Sequence, residues 1–130
     1  TSNFQQCVAE EEPGIPNFYV DLEIVGHTLK GDKSLSMEML KLHQISQNEA
    51  EHIQKFWTYR IEEHCKEKSE DILAEYTDKI VKEPDSKESL VSQARQKIRD
   101  CRLSYIFDNW DAINDTILPK LKKHNIKVDY

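Results

Sequence analysis

Ile53-Gln-Lys-Phe-Trp57-Thr-Tyr-Arg-Ile61-Glu-Glu-His-Cys65 is the stretch on which the fold reading turns. Ile53, Trp57, Ile61 and Cys65 recur every fourth residue, and Ile72, Tyr76 and Ile80 continue the series. A half-buried strand repeats every second residue and a helix every 3.6, so the spacing predicts a helix. The mean step over this series is about 3.9, which rotates the apolar stripe around a straight helix or bends the helix. Between the two halves, residues 62–71 hold seven charged positions and one core candidate, Cys65. Glu62 and Lys66 form a favourable i,i+4 pair there, whereas Glu63 and Glu67 repel. We expect one very long helix from about 35 to 82, with 65–71 as the place for a kink or break. Ser34 or Ser36 would cap its start, Leu35, Met39, Leu42 and Ile45 would open its apolar stripe, and Pro84 would end it.

Working outward, Asp85 or Ser86 caps a second helix. Its stripe is Leu90/Val91, Ala94, Ile98, Cys101 and Tyr105, and after Arg102 the apolar positions move to Leu103, Ile106, Phe107 and Trp110. A helix that is apolar on two sides belongs at the centre of a bundle. A last short helix fits Thr116 to Lys123, with Pro119 in its first turn and Asn125 as terminator. Towards the N-terminus, residues 1–17 read as an irregular arm because Pro13, Gly14 and Pro16 break regular structure. Residues 18–25 alternate enough for a strand, but no partner strand follows, so they read as a short helix or an extended segment on the core. Gly26 to Ser34 reads as a loop. The fold class is therefore all-α: a compact helical bundle with one very long helix. The chain of 130 residues makes one domain, with 1–34 as arm and loop and 35–130 as the bundle.

Composition agrees. Three glycines and four prolines are few for a loop-rich or all-β chain, and the mean hydropathy is −0.74. The net charge is −6, which disfavours nucleic acid as a partner because phosphate contacts need clustered cations. No run approaches the ~20 apolar residues of a membrane span. The charge is uneven: residues 1–34 and 35–83 each carry −4, residues 84–111 carry 0 and residues 112–130 carry +2. A cationic contact face is therefore sought in the C-terminal half.

Cys7, Cys65 and Cys101 are an odd number, without CxxC or Cys/His metal spacing, so no structural zinc is expected. In a secreted protein Cys65 and Cys101 would staple two helices and leave Cys7 over; otherwise all three are reduced thiols. Asn114-Asp-Thr116 matches an N-glycosylation acceptor, which also favours an extracellular location. A cleaved mature form and a trimmed chain both fit an opening at Thr1.

The search for chemistry returns little. Glu49-Ala-Glu-His52 has the E-x-x-H spacing of carboxylate-bridged metal bundles, but those need two copies and more glutamates. HxxxH, HExxH, a P-loop, GxGxxG and GxSxG are all missing. Cys65 and His64 are neighbours on a helix and point about 100° apart, so they form no dyad. No catalytic residue, metal or cofactor is assigned, and a non-enzyme is expected. Arg95, Arg99 and Arg102 fall within an arc of about 60° beside the apolar stripe, and Lys120, Lys122 and Lys123 follow. These six read either as a cationic strip for an acidic partner or as a solvated flank paired with the long helix's glutamates. Phe56, Trp57 and Tyr59 cannot share one helix face, so one of them, Tyr59 foremost, is exposed or meets a partner.

The order of motifs resembles the sperm lysin family of abalone acrosomal proteins. The resemblance covers residues 35–130: Leu35-Ser36, Phe56-Trp57-Thr58-Tyr59, Ala94-Arg95-Gln96-Lys97-Ile98-Arg99-Asp100, Tyr105-Ile106-Phe107-Asp108, Ile117-Leu118-Pro119-Lys120 and Lys127-Val128-Asp129-Tyr130. It implies an all-helical, non-enzymatic protein secreted from the acrosomal vesicle. Its partner would be an egg-coat glycoprotein, it would form homodimers, and Arg95, Arg99 and Arg102 would match part of the family's basic surface. Lysins are strongly basic, however, and this chain is acidic and has three cysteines, so the family's charge mechanism does not carry over. Two other readings stand beside it. Trp57, Ile72-Leu73-Ala74-Glu75-Tyr76 and the charged helix 86–102 look like a secreted interferon-gamma type cytokine that binds a cell-surface receptor. The third reading is an intracellular helical adaptor.

Overall fold

A computed structural model describes residues 17–29 and 44–127. Among them are four helices and no strand: α1 (Asn17–Thr28), α2 (Gln47–Lys82), α3 (Lys87–Asp108) and α4 (Trp110–Lys123), with a 3-10 turn at Pro84–Ser86 between α2 and α3. The fold is the expected all-α bundle built around one very long helix. The arm's first residues, the Ser34 and Ser36 caps and Cys7 lie outside the described residues.

Of the two readings for residues 18–25, helix is the one the structure takes. Phe18, Leu22 and Val25 are spaced by four and three, the helical period, and all three are buried. An alternating strand would have buried Val20 with them, but Val20 is 45% exposed. The helix runs through Gly26, which had read as loop, to Thr28. Tyr19 donates its hydroxyl to the Ala50 carbonyl and so fixes α1 against the first turn of α2. Burial raises the Tyr19 phenol well above its usual range.

Helix α2 starts at Gln47, twelve residues after the expected start at 35, because Ser46 is extended and caps it there. Its hydroxyl accepts the Glu49 N–H at 3.2 Å and sits 3.2 Å from Glu49 Oε1. Ser46-Gln-Asn-Glu49 is the sequence of a capping box, a signal that the sequence carried. The helix is continuous through 62–71, because one exposed face there is simply solvated; only Cys65 in that stretch is buried. It ends at Lys82, where the Glu83 N–H reaches Lys79 O at 2.9 Å and Pro84 prevents continuation.

The drift of the apolar stripe around α2 has a structural consequence. Ile53, Trp57 and Ile61 join a main core with α1, Ile106 of α3, and Trp110, Ile113, Ile117 and Leu121 of α4. Ile72 and Tyr76 instead join a separate outer core with Leu90 and Ala94 of α3 among the described residues. The bundle is thus multi-helical at one end and a two-helix hairpin at the other. Fully burying each aliphatic side chain contributes about 1.5–3 kcal/mol, which favours the main core. Within it Trp57 Nε1 donates to Thr116 Oγ1 at 2.9 Å, and Thr116 donates to the Ile113 carbonyl at 2.7 Å, so the buried indole is satisfied.

Helix α4 begins at Trp110, six residues before the expected Thr116, so Pro119 lies inside it rather than in its first turn. Pro119 is exposed, and the hydrogen bond it cannot make therefore falls on the solvent side. Asn125 ends the helix as expected. Its φ is 59°, and the Ile126 N–H bonds Leu121 O at 2.9 Å while the Asn125 N–H bonds Lys122 O at 3.0 Å. That pair of bonds is a Schellman ending, closed by the buried Ile126 against the core.

Candidate protein-contact surface

The cationic strip is not an open face. Arg102 Nε lies 3.1 Å from Asp21 Oδ2 of α1, and the two side chains are 18% and 1% exposed. Arg95 and Arg99 are half-buried and already engaged within the chain. Arg102 is accordingly corrected from a partner contact to the anchor of α1 on α3. Its burial follows from α1 crossing α3 on that side. Lys120 and Lys123 are tied up as well: their Nζ atoms lie 3.4 and 3.3 Å from the Glu49 carboxylate, and His124 Nε2 lies 3.2 Å from it. The cluster pins the end of α4 to the start of α2. His124, Lys123 and the Ser46 hydroxyl lower Glu49 to about 2. Glu49 thus serves a structural clasp. Lys122 remains exposed on α4.

Asn114 is corrected too. It is 5% exposed, in the middle of α4, and its Oδ1 has no hydrogen-bond partner among the described residues. An attached glycan needs an exposed asparagine, so the folded chain leaves no room for one at Asn114.

The surface that stands out runs along α2. His52, Lys55, Phe56, Tyr59, Arg60 and Glu63 recur at helical spacing and, with Tyr105 of α3, line an open groove of about 640 Å³. Tyr59 is 66% exposed, in line with expectation, and Phe56 is 41% exposed. Trp57 turns inward, as three neighbours cannot share one face. Phe56 packs edge-on against Trp57 at 5.1 Å, and the Arg60 guanidinium sits 4.5 Å above the Phe56 ring. Tyr105 is half-buried, its ring 5.0 Å from that of His64.

A disulfide borders this groove. Cys65 and Cys101 are paired, with Cα atoms 6.1 Å apart and a sequence separation of 36. Cys65 lies two residues beyond Glu63, and Cys101 lies one turn before Tyr105. The crosslink therefore sets the distance between the two walls. It also sits between the main core and the outer core, belonging to neither.

Chemically, the groove offers flat apolar rings, the basic side chains Lys55 and Arg60, and one carboxylate. Sequence reasoning found Tyr59 but missed Phe56, Arg60 and Tyr105 as its neighbours. The signal was there: 52, 55, 56, 59, 60 and 63 share one broad face of a helix. Among the described residues no group of three or more His, Cys, Asp or Glu could hold a metal ion, and no helix is long and apolar enough to cross a membrane. No protein-family model matches the chain, and neither a curated protein nor a solved structure matches it.

Proposed function

We propose that this chain is a secreted, non-enzymatic recognition protein that binds a protein or glycoprotein partner through the groove of Phe56, Tyr59, Arg60 and Tyr105. The observation that carries the reading is the exposure of two large aromatic side chains at one site, Phe56 at 41% and Tyr59 at 66%, beside a stacked arginine. Tyr, Phe and Arg are the residues over-represented at protein interfaces, and exposed large apolar side chains grouped in one place mark contact sites. The Cys65–Cys101 pair supports an oxidising, extracellular compartment. Within this class, the motif order favours a lysin-like acrosomal protein that meets an egg-coat glycoprotein. The contact is then made by the aromatic groove and not by the arginine strip, since Arg102 is engaged by Asp21.

Surface plasmon resonance over immobilised vitelline-envelope glycoprotein tests this reading. The expected result is saturable binding that weakens at least about tenfold in the Phe56→Ala/Tyr59→Ala variant, as truncated interface anchors do. Absence of binding by the unaltered protein overturns the egg-coat assignment. Full binding by the variant overturns the assignment of the face.

A further inference from the structure

Charge is unevenly spread along α2. The helix carries nine acids and six bases, yet residues 52–61 contain no acid and two of the bases, Lys55 and Arg60. That acid-free stretch supplies five of the seven residues that line the groove, with Glu63 as the lone acid. Elsewhere, Lys97, Arg102, Lys120 and Lys123 each face a carboxylate. Lys55 and Arg60 take part in no ion pair among the described residues. Arg60 is held in place by a ring, and a guanidinium so held keeps donors for an incoming carboxylate.

We infer that the groove docks a short acidic segment of a partner protein, one bulky apolar side chain flanked by Asp or Glu. The apolar side chain seats on Phe56, Tyr59 and Tyr105, and the flanking carboxylates meet Lys55 and Arg60. This rests on the reading of the groove as the contact face and adds the chemistry of the segment that enters it. Charge complementarity selects the occupant. A second copy would bring together two faces that each carry two bases and one acid, a net repulsion that an acidic segment does not meet. A nucleic acid would extend beyond the groove over the remaining acids of a chain with net charge −6. A short acidic segment is repelled by the acid-rich remainder of α2 and attracted to this acid-poor stretch, where apolar rings lie beside the two bases.

The test is a titration of the whole, oxidised chain, labelled with nitrogen-15, with a synthetic peptide of one central leucine flanked on both sides by glutamates. Saturable amide shifts confined to residues around 52–63 and 105 are expected, together with weakening of about tenfold in Lys55→Glu/Arg60→Glu and a further loss at raised salt. Lys55→Gln/Arg60→Gln gives the same direction with less disturbance if charge reversal perturbs the fold. No saturable shifts, unchanged affinity in both double variants, or equal binding of a control peptide with lysines in place of the glutamates overturns the inference. So does preferential binding of a sulfated oligosaccharide in the groove. If Phe56→Ala/Tyr59→Ala loses glycoprotein binding while the acidic peptide fails to bind, the contact face stands and only the acidic segment falls. If that variant keeps glycoprotein binding, the face itself is wrong.

Discussion

Arg102 reaches across 81 positions of sequence to place its Nε 3.1 Å from Asp21 Oδ2, and this contact attaches the first helix to the bundle. Removing one partner of such a pair leaves a charge in a poorly solvated place, which typically costs about 3–5 kcal/mol. Asp21→Ala is therefore expected to lower the unfolding free energy, read from a urea titration, by that order. Replacing both residues together, Asp21→Leu with Arg102→Met, is expected to cost much less. Equal losses in the single and double variants would show that the pair is not what holds α1.

Trp57 and Thr116 join α2 to α4 through a hydrogen bond of 2.9 Å. Thr116→Val keeps the shape and deletes the acceptor, leaving the buried indole N–H without a partner. A loss of about 1–3 kcal/mol is expected in chemical denaturation. Trp57→Phe with Thr116→Val removes both polar groups and is expected to lose less than the sum of the single changes; a loss equal to that sum would show that the two residues are not coupled.

Reducing the Cys65–Cys101 bond frees a loop of 36 positions, for which chain entropy gives about 4 kcal/mol. The effect should be local, because the bond stands between two cores. Hydrogen exchange is expected to rise first in residues 66–100, around Ile72, Tyr76, Leu90 and Ala94, while Ile113 and Ile117 stay protected. A uniform rise over the whole chain would contradict a separate outer core. Mass under non-reducing conditions, two units below that of the fully reduced chain, checks the bond itself.

Glu49 is lowered from 4.5 to about 2 by His124, Lys123 and Ser46. A depressed carboxylate contributes stability that is present above its unfolded value and is lost as pH falls through its folded value. The clasp between α2 and α4 should therefore weaken between about pH 4.5 and pH 2. The difference in melting temperature between the unaltered protein and Glu49→Gln should shrink across that window and vanish below it. A difference that does not change with pH would remove the ion pairs as its cause.

Much of the fold was legible in the sequence because it rests on periodicity. The four-residue spacing from Ile53 to Tyr76 named the long helix, Pro84 marked its end, and Asn125 marked the end of the last helix. What was not legible depends on distant partners. The arc of Arg95, Arg99 and Arg102 is correct as helix geometry, but nothing local shows that Asp21 lies across it. The Asn114-Asp-Thr116 pattern alone does not show where the last helix starts. Starting it at Trp110 places Asn114 one turn after Trp110 and next to Ile113 and Ile117, and so turns it inward. Half of the groove was missed for the same reason. Tyr59 could be picked out by counting faces, whereas Tyr105 joins it only because α3 runs alongside.

The separation of the two cores also makes the hairpin a lever. From Cys65 to Lys82 the long helix rises about 26 Å at 1.5 Å per residue, with α3 packed beside it among the described residues. A tilt of about 10° at the crosslink would carry the tip through roughly 4–5 Å on that length. Matched insertions or deletions of whole turns in both helices would change the reach of this arm while leaving the groove and the main core as they are.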